Sequence, residues 1–106
     1  MATSFVNATY RNIGTTEVIV FNASQKSIVI GGNITNLIAS TVPVSIKVRK
    51  GSTDTHFYKD KRIAGGDAFE MSKGNKLILD AGDKIIASAK VDNSIDIVLS
   101  ILQGVT

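Results

Sequence analysis

The chain contains no cysteine and no tryptophan, and only one proline and one histidine. Without cysteine there is no disulfide framework, no thiolate metal site and no cysteine nucleophile, so the folded state must rest on packing and backbone hydrogen bonds. No apolar run approaches the ~20 residues that a spanning helix requires, and no membrane partner is expected. Residues 1–12 read MATSFVNATYRN and lack the basic start and apolar core of a secretory signal, which predicts a protein made and used inside a cell or inside a particle assembled there. Helical periodicity longer than two turns is also missing, because β-branched Ile, Val and Thr interrupt nearly every window.

What remains is the composition of a folded domain. At 106 residues, 43% hydrophobic and 20% charged, the chain is too apolar for disorder, and residues 1–106 are expected to form a single β domain burying roughly 65% of the surface of the unfolded chain. Residues 1–12 read as an extended arm or as the first strand. A net charge of +3 is spread too thinly for the basic stripe of a nucleic-acid binder, so nucleic acid is not an expected partner.

Strand alternation is clearest at residues 42–50, where Val42, Val44, Ile46 and Val48 alternate with Pro43, Ser45, Lys47 and Arg49. At residues 94–103, Ile95, Ile97, Leu99 and Ile101 share one face while Asp96, Val98, Ser100 and Leu102 share the other. Shorter β-rich runs lie around 17–21, 26–30, 56–59, 67–71, 76–79 and 84–89. Turn residues punctuate them: Asn12-Ile13-Gly14, Gly31-Gly32-Asn33, Lys50-Gly51-Ser52, Gly65-Gly66-Asp67, Lys73-Gly74-Asn75 and Ala81-Gly82-Asp83. The pattern predicts an all-β fold of about eight to ten short strands, an antiparallel β-sandwich or jelly-roll-like domain.

Catalytic chemistry has little to work with. A Ser-His-Asp triad would need His56 with Ser52 or Ser72 and Asp54, but no Gly-x-Ser-x-Gly elbow marks either serine. Asp80, Asp83, Asp92 and Asp96 supply carboxylates without the spacing of a calcium loop, and Asp80 and Asp83 are expected to bond the backbone of a glycine turn. No Gly-rich phosphate loop precedes a helix, so no nucleotide or other cofactor is expected. The sequons at Asn7, Asn22 and Asn33 have no route to glycosylation without a signal.

Two surfaces stand out instead. Lys47, Arg49, Lys50, Lys59, Lys61 and Arg62 hold half of the twelve basic residues. If residues 42–50 and 55–62 pair as a hairpin, their outward positions form a cationic face, with His56 or Tyr58 beside it, that would suit an acidic partner. Lysine also guards sheet edges, and a solvated face is the competing reading. The second surface is the outward side of residues 94–103, where Val98 and Leu102 are apolar and suit an oligomer contact.

The order of motifs resembles a family of small tailed-bacteriophage virion proteins. Ile13-Gly14-Thr15-Thr16 and the strand Val18 to Phe21 open the series, followed by Ser27 to Asn36, a Val-x-Val strand with Arg-x-Gly at Val44 to Gly51, and Phe57, Tyr58, Lys59, Asp60, Ile63 and Gly66. Gly74 through Ile86 and Ser94 to Leu102 complete it, so the likeness spans about residues 13–102. Ala64 stands where the family often has proline, and the family asparagine corresponds to Asn36 or Asn33 depending on register. The resemblance implies a non-enzymatic virion protein assembled in the host cytoplasm: a homo-oligomeric capsid decoration or cement protein that binds a major capsid or other virion protein. Neck or tail accessory proteins are the alternative it leaves open. From the residues alone, a small ligand- or carbohydrate-binding sandwich also remains, although six aromatics offer few stacking platforms.

Overall fold

Alternation of apolar and polar residues sets the strands, and their pairing sets the architecture. A computed structural model describes residues 3–71 and 76–104. Among these, nine strands run in chain order as β1 (Ser4–Ile13), β2 (Val18–Asn22), β3 (Ser27–Asn36), β4 (Val42–Lys50), β5 (Thr53–Ile63), β6 (Ala68–Met71), β7 (Leu77–Leu79), β8 (Lys84–Ala89) and β9 (Ile95–Gln103). They make two antiparallel sheets. Sheet A has the order β1-β9-β3-β6, with β7 also against β3, and sheet B has the order β2-β8-β4-β5.

The β6 strand pairs with residues 32–35 of β3 and β7 with residues 27–29, so the two short strands share one strand position. The pairs β1/β9, β2/β8, β3/(β6, β7) and β4/β5 then describe one long hairpin. Its tip is at Gly51, which has the positive φ of 64° that favours glycine. Rolling this hairpin places β9 beside β3 and β8 beside β4. The result is a jelly roll, in agreement with the all-β expectation.

The core lies between the sheets. Val42, Val44, Ile46 and Val48 of β4 and Ile95, Ile97, Leu99 and Ile101 of β9 are buried as their alternation predicts, and they meet Val29, Ile34, Ile85 and Leu79. The polar residues that are buried are used at the ends of the sandwich. Asn36 donates from Nδ2 to the carbonyls of Ser40 and Ile63 at 2.8 and 2.9 Å, and its Oδ1 accepts from the Ile38 N–H at 3.0 Å. Its amide thereby ties the end of β3 to the end of β5, whereas Asn33 is exposed.

One expectation is corrected. Gly31-Gly32-Asn33 is no turn but the middle of the ten-residue β3. A Cβ on Gly32 would stand 2.8 Å from the Val98 carbonyl oxygen and 2.8 Å from Leu99 Cδ2, so glycine is there for close strand packing rather than for turning. The register shift between Val29 and Gly31 marks a bulge beside it. Residues 4–12 belong to β1, and the turn expected at Lys73-Gly74-Asn75 lies outside the described residues, as does Ser72.

Candidate assembly surfaces

The carboxylates singled out in the sequence are engaged in the fold's own loops. Asp83 is buried, and its carboxylate accepts from the Asp80 N–H at 2.8 Å and from Lys50 Nζ at 2.5 Å. The Lys50 hydrogen bond first, and then the Asp80 N–H, hold its carboxyl below the usual carboxylate range. Asp92 accepts from both the N–H and the hydroxyl of Thr15 at 2.9 Å, which lowers its pKa in the same way. Asp96 accepts from the Asn12 N–H at 2.9 Å. Among the described residues no three acidic, histidine or cysteine side chains converge as metal ligands would.

His56 is exposed on β5 opposite Lys47. Asp54, its nearest acidic neighbour in sequence, is committed elsewhere: Arg49 donates to it from Nε at 2.6 Å and from Nη2 at 2.9 Å. That bidentate hydrogen bond lowers the Asp54 pKa and raises that of Arg49.

The basic hairpin forms as β4 and β5, but its six cations do not gather on one face. Lys47, Arg49 and Arg62 lie on the outer side of sheet B, with His56 beside Lys47 and Tyr58 opposite inward-facing Ile46. Lys47 pairs with Glu17, Arg49 with Asp54, and Lys50 reaches over the strand end to Asp83. Lys61 turns to the open side of the sandwich, where Nζ sits 4.7 Å from the centre of the Phe69 ring, a cation–π contact. Lys59 and Arg62 are exposed and have no ion pair among the described residues.

The outer face of sheet A has the opposite character. Register brings Phe5 of β1, Leu102 of β9, Ile28 of β3 and Ile78 of β7 into one row across four strands. Phe5 is 75% exposed and Ile78 53%, with Leu102 and Ile28 half-buried between them. Behind the row stand Asn7, Ser100 and Ile30, and then Thr9, Val98 and Asn33, with no charge among them. Besides a depression of about 560 Å³ lined by Thr9, Tyr10, Arg11, Asp96 and Val98, two smaller ones interrupt the face. One, of about 280 Å³, is lined by Phe5, Asn7, Ile30 and Ser100, and the other, of about 430 Å³, by Ile30, Gly31, Asn33, Glu70, Val98 and Ser100. Among the described residues Glu70 is the single titratable group lining either.

No protein-family model and no curated protein matches the sequence. Solved structures do match the fold. One is a chain from the disulfide-linked pili that form Bacillus endospore appendages, with a TM-score of 0.57 and 16% identity over 99% of this chain and 88% of that one. Another is a chain of the icosahedral IBDV viral particle, with a TM-score of 0.57 and 8% identity over 95% of this chain. Only 31% of the particle chain is covered. At such identities the likeness is one of fold. Both neighbours come from structural assemblies.

Val98 and Leu102, marked in the sequence as an apolar outward pair, belong to this sheet A face. Phe5, Ile28, Ile30 and Ile78 were not legible there as parts of it, because each lies on a different strand or beside a bulge and only cross-strand register joins them. The available signal was Phe5, a large aromatic among Ser, Asn and Thr.

Proposed function

We propose that this chain is a non-enzymatic structural subunit of a virion, a decoration or cement module that stabilises a particle by binding neighbouring capsid subunits. The observation that carries the reading is the uninterrupted apolar row Phe5–Leu102–Ile28–Ile78 on the outer face of sheet A, with the acidic groups of that face, Glu70 and Asp96, outside the row. A sheet face left to water is normally polar, and a contiguous apolar stretch on one marks a surface that another protein covers. A cement module must touch two neighbours at once. In this reading the outer face of sheet A meets one of them, and Lys59, Lys61 and Arg62 along β5 meet an acidic patch on the next. Lys47, Arg49 and Lys50 act within the domain through their ion pairs. The jelly-roll likeness to chains of a viral particle and a pilus supports the reading at the level of architecture.

Cryo-electron microscopy of purified particles tests it. The expected map contains repeated copies of this jelly roll with the outer face of sheet A against a neighbouring protein. A map without the domain, or with that face open to solvent, contradicts the proposal.

A further inference from the structure

Sheet edges present rows of unpaired N–H and C=O groups, and soluble proteins guard them with lysines, bulges or short strands. Three of the four edge positions here are guarded. The β5 strand carries Asp54, His56, Lys59, Asp60, Lys61 and Arg62, and two register shifts break its pairing with β4. The β2 strand has five residues and a bulge between Ile19 and Phe21. The far edge of sheet A is made from the short β6 and β7, of four and three residues.

The β1 edge has none of these devices before its last three residues, where Arg11 and a bulge between Tyr10 and Ile13 stand. It is ten residues long, and from Ser4 to Tyr10 it runs in unbroken register against β9, Ser4 with Gln103 through Tyr10 with Ile97. Over that stretch it carries no charge and no proline. It ends the strand order of sheet A, and no other strand covers it among the described residues.

We propose that β1 is a pairing edge, and that it is occupied by the β1 of a second copy, antiparallel across a two-fold axis. The inference deepens the structural-subunit reading and rests on it for one point, that copies meet at high local concentration. An antiparallel strand is its own hydrogen-bonding complement, and two-fold pairing is the commonest way for identical chains to meet. The flat stretch is centred on Asn7. About that centre Asn7 faces its counterpart, Phe5 faces Thr9 of the second copy and Val6 faces Ala8, so no like charges oppose one another. A single seven-residue strand pairing is about 23 Å long at ~3.3 Å per residue, a narrow band beside the ~800 Å² per partner of a standard interface. The isolated dimer is therefore weak and concentration-dependent, and joins the two outer faces of sheet A into one, the apolar row of each copy running on toward Thr9 and Val98 of the other.

The test uses the full chain. Sedimentation of wild type should show a concentration-dependent dimer. The doubly substituted N7K/T9K, which installs the missing guard at exposed positions, should weaken it by at least ~tenfold through like charges opposed across the pairing. Ile78→Ser, on the same sheet face but at the far edge, should leave it unchanged. Because the native chain has no cysteine, single cysteines report geometry cleanly. Under mild oxidation Asn7→Cys should cross-link to itself far faster than Thr55→Cys on β5. Equal thermal stability of all variants secures the comparison. A clean monomer at high concentration, a dimer lost with Ile78→Ser but kept in N7K/T9K, or faster cross-linking at Thr55→Cys would each overturn the proposal. A monomer that still incorporates into particles would overturn edge pairing alone, while a β1 dimer absent from particles would sink the virion reading alone.

Discussion

Two adjacent glycines show how much one Cβ decides. At Gly31 an added methyl meets nothing within 4 Å, whereas at Gly32 it meets a backbone carbonyl oxygen of the neighbouring strand at 2.8 Å. Gly31→Ala should be neutral or stabilise slightly, by up to ~1 kcal/mol through the unfolded state. Gly32→Ala should destabilise by about 1–3 kcal/mol, because the sheet must shift to admit it. Urea denaturation of both variants checks the contrast. Asp83 makes a second residue-scale prediction. Its pKa is lowered in the folded state by Lys50 and the Asp80 N–H, so its stabilising contribution is complete above the ordinary carboxylate value of ~3.9 and is lost as pH falls through the lower folded value. Asp83→Asn should lower the melting temperature at pH 7 and flatten the loss of stability between about pH 5 and pH 2. Equal acid sensitivity in wild type and variant would show that the Lys50–Asp83 pair does not contribute.

At the scale of elements, β9 separates its two faces residue by residue. Leu99 is 1% exposed in the core, and Val98 beside it is 43% exposed on the outer face of sheet A. Leu99→Ala should cost about 2–5 kcal/mol from lost burial and the cavity left behind. Val98→Ser should cost less than about 1 kcal/mol in the isolated domain. Thermal unfolding measures both, and comparable losses would mean the outer face is packed. Elements with strict alternation were legible in the sequence, and β4 and β9 lie where their Val and Ile periodicity put them, with the same faces inward. The β8 strand also matches its run at residues 84–89. The misreading at Gly31-Gly32 arose because turn chemistry and close strand approach select the same residue, and only the position of Leu99 distinguishes them. The hairpin pairing of β4 with β5 was legible too. The fate of its cations was not, since Glu17, Asp83 and Phe69 reach Lys47, Lys50 and Lys61 from elsewhere in the chain.

For the whole molecule, the rolled hairpin produces a slab of 44 × 26 × 21 Å with one broad face of sheet A unoccupied. One structural neighbour is a chain of disulfide-linked pili, a linkage that this cysteine-free chain cannot form. Any assembly it enters has to be held without disulfides, and the apolar row is a part of its surface suited to docking. Phe5 and Ile78 are the most exposed members of the row and stand at its two ends. Their replacement by serine removes apolar area from the docking face while leaving the core untouched. The most direct measurement is the number of copies per purified particle for the Phe5→Ser/Ile78→Ser double variant beside wild type, at matched thermal stability and equal protein supply. Docking through the outer face of sheet A predicts at least a ~tenfold fall in occupancy, the effect of losing about 1.4 kcal/mol or more of binding at subsaturating supply. Occupancy equal to wild type would contradict it.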